Sequence, residues 1–516
     1  MWEYDSSYLP YTRTLLTSLH PFFGKFSMAL INNKLRKKAW ANAIAKPAQE
    51  FPLTPLTVIS GTIPPGLRGT LYRNGPARLE RGGIHVGHWF DGDGAILGVH
   101  FNSSSVTPPY QGGDRGSATA VYRYVQTDGY KEETAAGKLL YGNYGMTAPG
   151  VFWNRWLKPI KNVANTSVLA LPDKLLALWE GNHPYALDLE TLETKGVDNL
   201  GGLDKGLPYS AHPSVDLHTK EIFNFGVSIG NNGTLNLFKS DWTGKIIQKA
   251  QFPLEGFPVI HDFVLAGPYL VFFVPAVRLN ILPVLLGINT YSECLQWQPQ
   301  VGTQILIFDR QTLSLVSRGE TEPWFQWHFA NGYVDASGEV VVDIARYQDF
   351  QTNQFLQEVA FGETHTPAKS TLTRVRVNTQ TGKVTNIQKI LDRHCEFPSV
   401  PPENVGQASR YTYLSISRQG TDISQEILNA IACYDHKTET LTEADLGENR
   451  YPSEPIYATD ADNPEQAWIL TVVYDGNCDR SEVWVFDAHR LNEEPVCKLE
   501  LPSVIPHSFH GTWKGV

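Results

Sequence analysis

One unit recurs along most of this chain: an apolar run, an Asp or Asn, a few polar residues, then a second apolar run. It occurs as ALDLETLETKG (186–196), VDLHTKEIFNF (215–225), LFKSDWTGKIIQ (237–248), ILIFDRQTLSLVS (305–317), VRVNTQTGKVTNI (375–387), ACYDHKTETLTEA (432–444) and WVFDAHRLNEEPV (484–496). FDGDGAILGVHF (90–101) reads as an earlier instance. Each has the pattern of a β-hairpin. Six to eight hairpins over about 450 residues, with no helical periodicity between them, predict an all-β fold, a β-propeller, and seven blades fit best. A single-sheet barrel would need fewer residues. A propeller ring usually closes by pairing the two chain ends in one blade. The C-terminal SFHGTW (508–513) is therefore expected to be an ordered closing strand near the axis, although chain ends usually fray.

The start of the chain has a different texture. Residues 11–46 carry few turn signals after Pro21 and many helix formers, so residues 1–50 are expected to be a helical extension and 51–516 one propeller domain. One helical face collects Leu15, Leu16, Leu19, Phe22, Phe23, Phe26 and Leu30, with Lys25, Lys34, Arg36, Lys37 and Lys38 interleaved or following. Such a segment either lies on a membrane surface or packs on the protein body.

Composition excludes several classes. The net charge is −10 and no basic stripe is present, so nucleic acid is not an expected partner. The five cysteines are scattered without metal-clip spacing, which suits reduced thiols in a cytosol. No apolar stretch approaches the roughly 18 residues that span a bilayer, and MWEYDSSYLP lacks the pattern of a secretory signal.

Of the 15 histidines, four stand beside the start or end of an apolar strand, flanked by aromatic, Pro or Gly residues. They are His212 in YSAHPSVD, His261 in PVIHDFVLAG, His328 in WFQWHFANGY and His510 in SFHGTW. A single histidine in such a place is more often a satisfied polar group in a core than a ligand. Their gaps match no local metal motif. Only a fold that brings separate strands to one point could assemble them, and a propeller axis does so.

These contexts resemble the carotenoid cleavage oxygenase family, from about residue 50 to the end. LRGTLYRNGP (67–76) and HWFDGDGAILGVHF (88–101) are similar to the family's opening signature. NTSV (165–168), LWEG (178–181), AHPSVD (211–216), IHDF (260–263), HFAN (328–331), EFP (396–398), YPSEP (451–455) and FHGTW (509–513) follow in the family's order. The resemblance implies a seven-bladed propeller with a loop or helical cap over its metal face. It implies that His212, His261, His328 and His510 ligate Fe(II), with Glu180, Glu396 and Glu454 as their carboxylate partners. Each Glu could instead be a solvated surface charge, but LWEG and YPSEP embed them in apolar or turn-locked sequence.

The implied chemistry fits these residue types. Four neutral imidazoles suit a borderline ion such as Fe(II) and leave two positions of a six-coordinate site for O2. The three carboxylates would accept the far N–H of three ligands and set their tautomer. Thr166 matches the small residue the family places near an open iron position. Trp179 stands where stilbene-cleaving relatives carry a phenol-binding lysine, which favours a long apolar polyene. Phe90, Trp327 and Phe397 are candidate tunnel walls, although strand aromatics are more often plain core. The implied reaction is O2-dependent scission of one conjugated C=C bond of a carotenoid or apocarotenoid. Stilbene cleavage on the same fold and a non-catalytic carotenoid-binding propeller are the alternatives. A substrate that lives in lipid predicts a cytoplasmic protein held peripherally on a membrane. VPAVRLNILPVLLGI (274–288), with Arg278 as its one charge, is expected to dip into the lipid together with residues 11–31.

Overall fold

The computed structural model describes residues 38–102 and 116–516. The expected helices and basic–apolar face within residues 1–37 lie outside the described residues. Of the expected extension, Ala39–Ile44 forms one 3-10 turn that buries Trp40, and strand structure begins at Phe51.

The chain builds an all-β, propeller-like fold with few helices. The hairpins form because Asp and Asn side chains nucleate the turns. Asp188, Asp309 and Asn378 each place a side-chain oxygen 2.8–3.1 Å from the amides two and three residues on, which donate to it. The residue four positions after each of these, Leu192, Leu313 or Gly382, then adopts a left-handed backbone, with φ of 56°, 55° and 66°. An Asx turn of this kind reverses the chain within a few residues. The instance at 90–101 needs correction. His88 and Asp91 cap a 3-10 turn at Trp89–Asp91, and a single strand, Asp93–Asn102, follows. That segment is a turn leading into one strand, not a hairpin.

Five sheets have four strands, each a sequential antiparallel meander. Their spans are Ser167–Val197, Ser214–Pro253, Val264–Thr321, Phe325–Leu391 and Cys395–Ala444. The expectation of seven blades therefore needs correction: five sheets have the four-stranded form of a blade. Two further sheets, of five and six strands, are larger because both take in strands from the beginning and the end of the domain. In the five-stranded sheet, the last strand Gly511–Gly515 pairs with Gly69–Arg78, with Leu71 opposite Trp513. In the six-stranded sheet, Thr57–Gly61 pairs with Cys497–Glu500. The C-terminal tail is thus a paired strand.

Side chains between neighbouring sheets form the core. Phe223, Phe272, Trp324 and Val340, for example, are fully buried. The five cysteines are free thiols. Among the described residues no helix is long and apolar enough to cross a membrane. Two helices bear on the site and surface below: Gln351–Ala360, and the short Asn154–Leu157.

Candidate metal centre

Each of the seven larger sheets delivers one histidine or glutamate of the expected set, six from an outer strand or the loop beside it and Glu180 from the loop after its sheet's second strand. His212 and His261 immediately precede the strands Ser214–Asp216 and Val264–Ala266, His328 lies within Phe325–Val334, and His510 precedes Gly511–Gly515. Glu180 follows Leu175–Leu178, Glu396 lies within Cys395–Ser399, and Glu454 follows Arg450–Pro452. Residues up to 330 positions apart in sequence are brought together, six of them because their strands are outer strands of their sheets.

The four imidazoles form one cluster. The His328 Nε2 lies 3.3 Å from that of His261 and 3.1 Å from that of His510. The His212 ring centroid is 4.4, 5.3 and 4.8 Å from those of His261, His328 and His510. The His212 Nε2 is buried without a hydrogen-bond partner. On the far side of the rings, Glu180 pairs with the His261 Nδ1, Glu396 lies 2.5 Å from the His328 Nδ1, and Glu454 lies 3.1 Å from the His510 Nδ1. Each carboxylate accepts the Nδ1–H of its ring, so each Nε2 presents a bare lone pair. Converging lone pairs repel, and a buried polar nitrogen without a partner is costly. A cation among the four nitrogens resolves both problems, so the donor set fits a metal of the imidazole-binding type.

The electrostatics agree. Burial, together with the three neighbouring imidazoles, holds the His212 pKa well below its usual value. Burial would raise the carboxyls of Glu396 and Glu454, but their His partners outweigh it, and Arg73 helps at Glu454, so both stay lowered and ionised.

Glu396 is anchored more firmly than its motif suggested. Its Oε2 accepts from the Phe397 amide at 2.7 Å, and its Oε1 accepts from the Tyr347 hydroxyl at 3.2 Å. Phe397 is held at φ 52°, a conformation non-glycine residues rarely adopt. That backbone turn stacks its ring on His328, with centroids 5.3 Å apart. Glu454 is held by the buried Arg73, whose Nη1 lies 3.2 Å from Oε2, and by the Gly511 amide at 2.8 Å. A Cβ on Gly511 would come within 2.5 Å of the Tyr72 carbonyl oxygen, so glycine alone permits this approach.

A largely apolar cavity of about 120 Å³ opens onto His261, His328 and His510. Thr166, Phe90, Trp327 and Phe397 line it, as expected, joined by Phe355 and Phe509. Trp327 packs edge-on against His261 with centroids 4.7 Å apart. Trp179 is not among the residues lining this cavity. Glu180 reaches His261, while a side chain on Gly181 would meet the Trp179 ring at 2.6 Å.

Arg73 and Tyr347 were missed from sequence. Arg73 carried a signal, an arginine amid the apolar run TLYRNGPA (70–77). Tyr347, at the end of Glu339–Tyr347, carried none.

Comparison with known proteins agrees with this geometry. Residues 44–515 match the family model described as RPE65, retinal pigment epithelial membrane protein. The apocarotenoid-15,15'-oxygenase of Synechocystis sp. is 32% identical over 483 residues, covering 88% of this chain and 92% of that protein. The carotenoid 9,10(9',10')-cleavage dioxygenase 1 of Arabidopsis thaliana is 27% identical, covering 88% and 85%. A cobalt-substituted Synechocystis ACO crystal structure is similar with a TM-score of 0.80 and 30% identity, covering 93% of this chain and 98% of that one. The chain belongs to the RPE65/carotenoid oxygenase family.

Proposed function

We propose that this protein is a non-haem iron dioxygenase that cleaves a conjugated C=C bond of a carotenoid or apocarotenoid. The observation that carries the reading is four converging imidazoles, three of them lining an apolar, aromatic-walled cavity and three of them oriented by carboxylates, of which Glu396 and Glu454 are buried. His212, His261, His328 and His510 would hold Fe(II). Bound there, the iron would supply the O2 chemistry that protein side chains lack. Glu180, Glu396 and Glu454 fix ring tautomers and angles. Phe90, Trp327, Phe397 and Phe509 hold a flat polyene and exclude water from the reacting bond. Thr166 sits at the same wall. No acid–base residue is required. We take the five- and six-stranded sheets as blades too, which gives seven, each contributing one His or Glu to the centre; the helix Gln351–Ala360 is part of the cover over the cavity.

The test is turnover. Fe(II)-loaded protein incubated under O2 with a panel of carotenoids, apocarotenoids and a stilbene should release aldehydes, identified by mass, from the polyenes. Cleavage of the stilbene alone, or protein that retains no stoichiometric iron, would overturn the reading.

Peripheral membrane contact is part of the proposal, with a revised surface. In the stretch 274–288 the first half is core: Val274, Ala276 and Val277 are fully buried. Leu282, Leu285, Leu286 and Ile288 are exposed by 45–62%. They adjoin a second apolar stretch, because Arg155 Nη1 donates to the Gly287 carbonyl at 2.7 Å and Trp156 Nε1 to that of Leu285 at 3.1 Å. There Trp153, Trp156 and Leu157 are 61%, 53% and 76% exposed. Contiguous exposed apolar and aromatic groups with Arg155 and Lys158 at their margin suit an anionic lipid surface. Replacing Trp153, Leu157 and Leu285 together with Glu should cut co-sedimentation with anionic liposomes at least 10-fold, with iron content unchanged. Equal sedimentation would refute the assignment.

A further inference from the structure

Glu180, Glu396 and Glu454 pair with His261, His328 and His510, which leaves His212 without a carboxylate of its own. Its ring nevertheless sits within the cluster. The constraint on it comes from the main chain on either side. The Ser167 hydroxyl donates to the carbonyl of Ala211, the residue before His212, and the His212 amide donates to the Ser210 Oγ at 3.0 Å.

Ser167 is itself held by a residue of the opening strand Gly69–Arg78. Asn74, fully buried there, donates from Nδ2 to the carbonyls of Ala164 and Ser167, both at 2.9 Å. The backbone of Asn74 donates to the His510 carbonyl and accepts from the Phe509 amide, both at 2.9 Å. The circuit closes where the His510 amide donates to the Thr166 carbonyl at 3.2 Å. One asparagine therefore holds the segments that carry two of the four imidazoles.

This arrangement is costly, which argues against incidental packing. Ala164 is fully buried and held at φ 45°, a conformation that non-glycine residues rarely adopt. The Asn74 Oδ1 is buried with no hydrogen-bond partner. Turning the amide over would set that oxygen against two carbonyls, which only accept, so the two N–H groups fix the orientation. An unpaired buried acceptor is the penalty of that choice. Asn165 pins the same segment from the other side, donating to the Phe90 and Gly92 carbonyls at 2.9 and 2.7 Å.

We propose that Asn74 is a positioning residue of the metal centre. Its side chain acts on His212 through the segment 164–167 and the Ser167–Ala211 bond, and its backbone acts on His510. It does for His212, by way of the main chain, what the three carboxylates do for the other rings. The inference rests on the proposed Fe(II) site.

The experiment uses Co(II), whose d–d absorption reports the ligand geometry directly. Wild-type protein, Asn74→Ala, Ser167→Ala and the double variant are titrated with Co(II) as folded, metal-free protein. Each single variant should weaken Co(II) binding roughly 10-fold, the low end of the range for outer partners, and shift the d–d bands. The double variant should lose little more than the weaker-binding single variant, because the two side chains are successive links of one chain. Ser167→Ala removes one hydroxyl, so it carries the test even if Asn74→Ala folds poorly. Variants that are less stable but keep the wild-type affinity and spectrum overturn the positioning role and leave the iron reading standing. Fully additive losses overturn the linkage. Wild-type protein that binds no stoichiometric Co(II) or Fe(II) overturns the iron reading and this inference with it.

Discussion

Protein lacking residues 508–516 should retain no stoichiometric iron, show no cleavage activity and melt far below the intact chain. The tail does three jobs at once. The His510 ring is one of the four in the cluster. Phe509 is 5% exposed and packs edge-on against Trp89, with centroids 4.6 Å apart. Gly511–Gly515 adds a paired strand to the sheet that also holds the first strand of the domain. Burial of Phe509 alone is worth about 3–5 kcal/mol, and the strand adds to it. His510→Ala separates the effects. It keeps the strand, whose position is fixed by backbone bonds from Phe509 to Asn74 and from Asn74 to His510, both 2.9 Å. Metal affinity should fall beyond the roughly 10- to 100-fold expected for an outer partner, while the melting temperature of metal-free protein falls much less than on truncation. Thermal melts and iron analysis on both proteins decide this. A truncated protein with a full complement of iron would refute the assignment of His510 as a ligand.

Arg73→Met should destabilise the protein by about 3–5 kcal/mol, the cost of removing one partner from a buried ion pair. Arg73 is 1% exposed. Burial lowers its pKa to about 10, so it remains charged at neutral pH. Its guanidinium donates to the Glu454 carbonyl at 3.1 Å, to the Glu454 carboxylate at 3.2 Å and to the Phe509 carbonyl at 2.7 Å. It thereby ties the opening strand to the carboxylate that orients His510 and to the backbone that carries it. Metal affinity should fall about 10- to 100-fold as Glu454 loses its anchor. Arg73→Lys should recover only part of either loss, because an ammonium lacks the planar fork that spans several acceptors. Glu454→Gln added to Arg73→Met should restore part of the stability, since the uncompensated buried charge is then gone. Chemical denaturation and metal titration of the three variants measure these effects. A double variant no more stable than Arg73→Met would mean that the pair's charge is not the source of the cost.

Several features were legible in the sequence because their causes are local. An Asp or Asn at a strand end captures the amides two and three residues on, so the hairpins at 186–196, 305–317 and 375–387 follow from short-range chemistry. Motif order identified the family and named the four histidines and three glutamates before any distance was known. Other features depend on strands far apart in the chain. The turn at Trp89–Asp91 depends on capping by His88 and Asp91 and on contacts of the Asp91 carboxylate with the Gly145 amide. The larger terminal sheets arise because Thr57–Gly61 finds Cys497–Glu500 across more than 400 residues.

By itself, the sequence determined the all-β class, the hairpin positions other than 90–101, and the identities of the residues that converge. Only the tertiary structure decided which nitrogen of each ring faces its neighbours, that Arg73 anchors Glu454, and that the exposed apolar surface joins 151–160 to 282–288. The physical reason is range. Turn formation and strand patterning are settled within about ten residues. Ring orientation, pairing of buried charges and contiguity of a surface are settled by groups that meet only once the sheets have assembled.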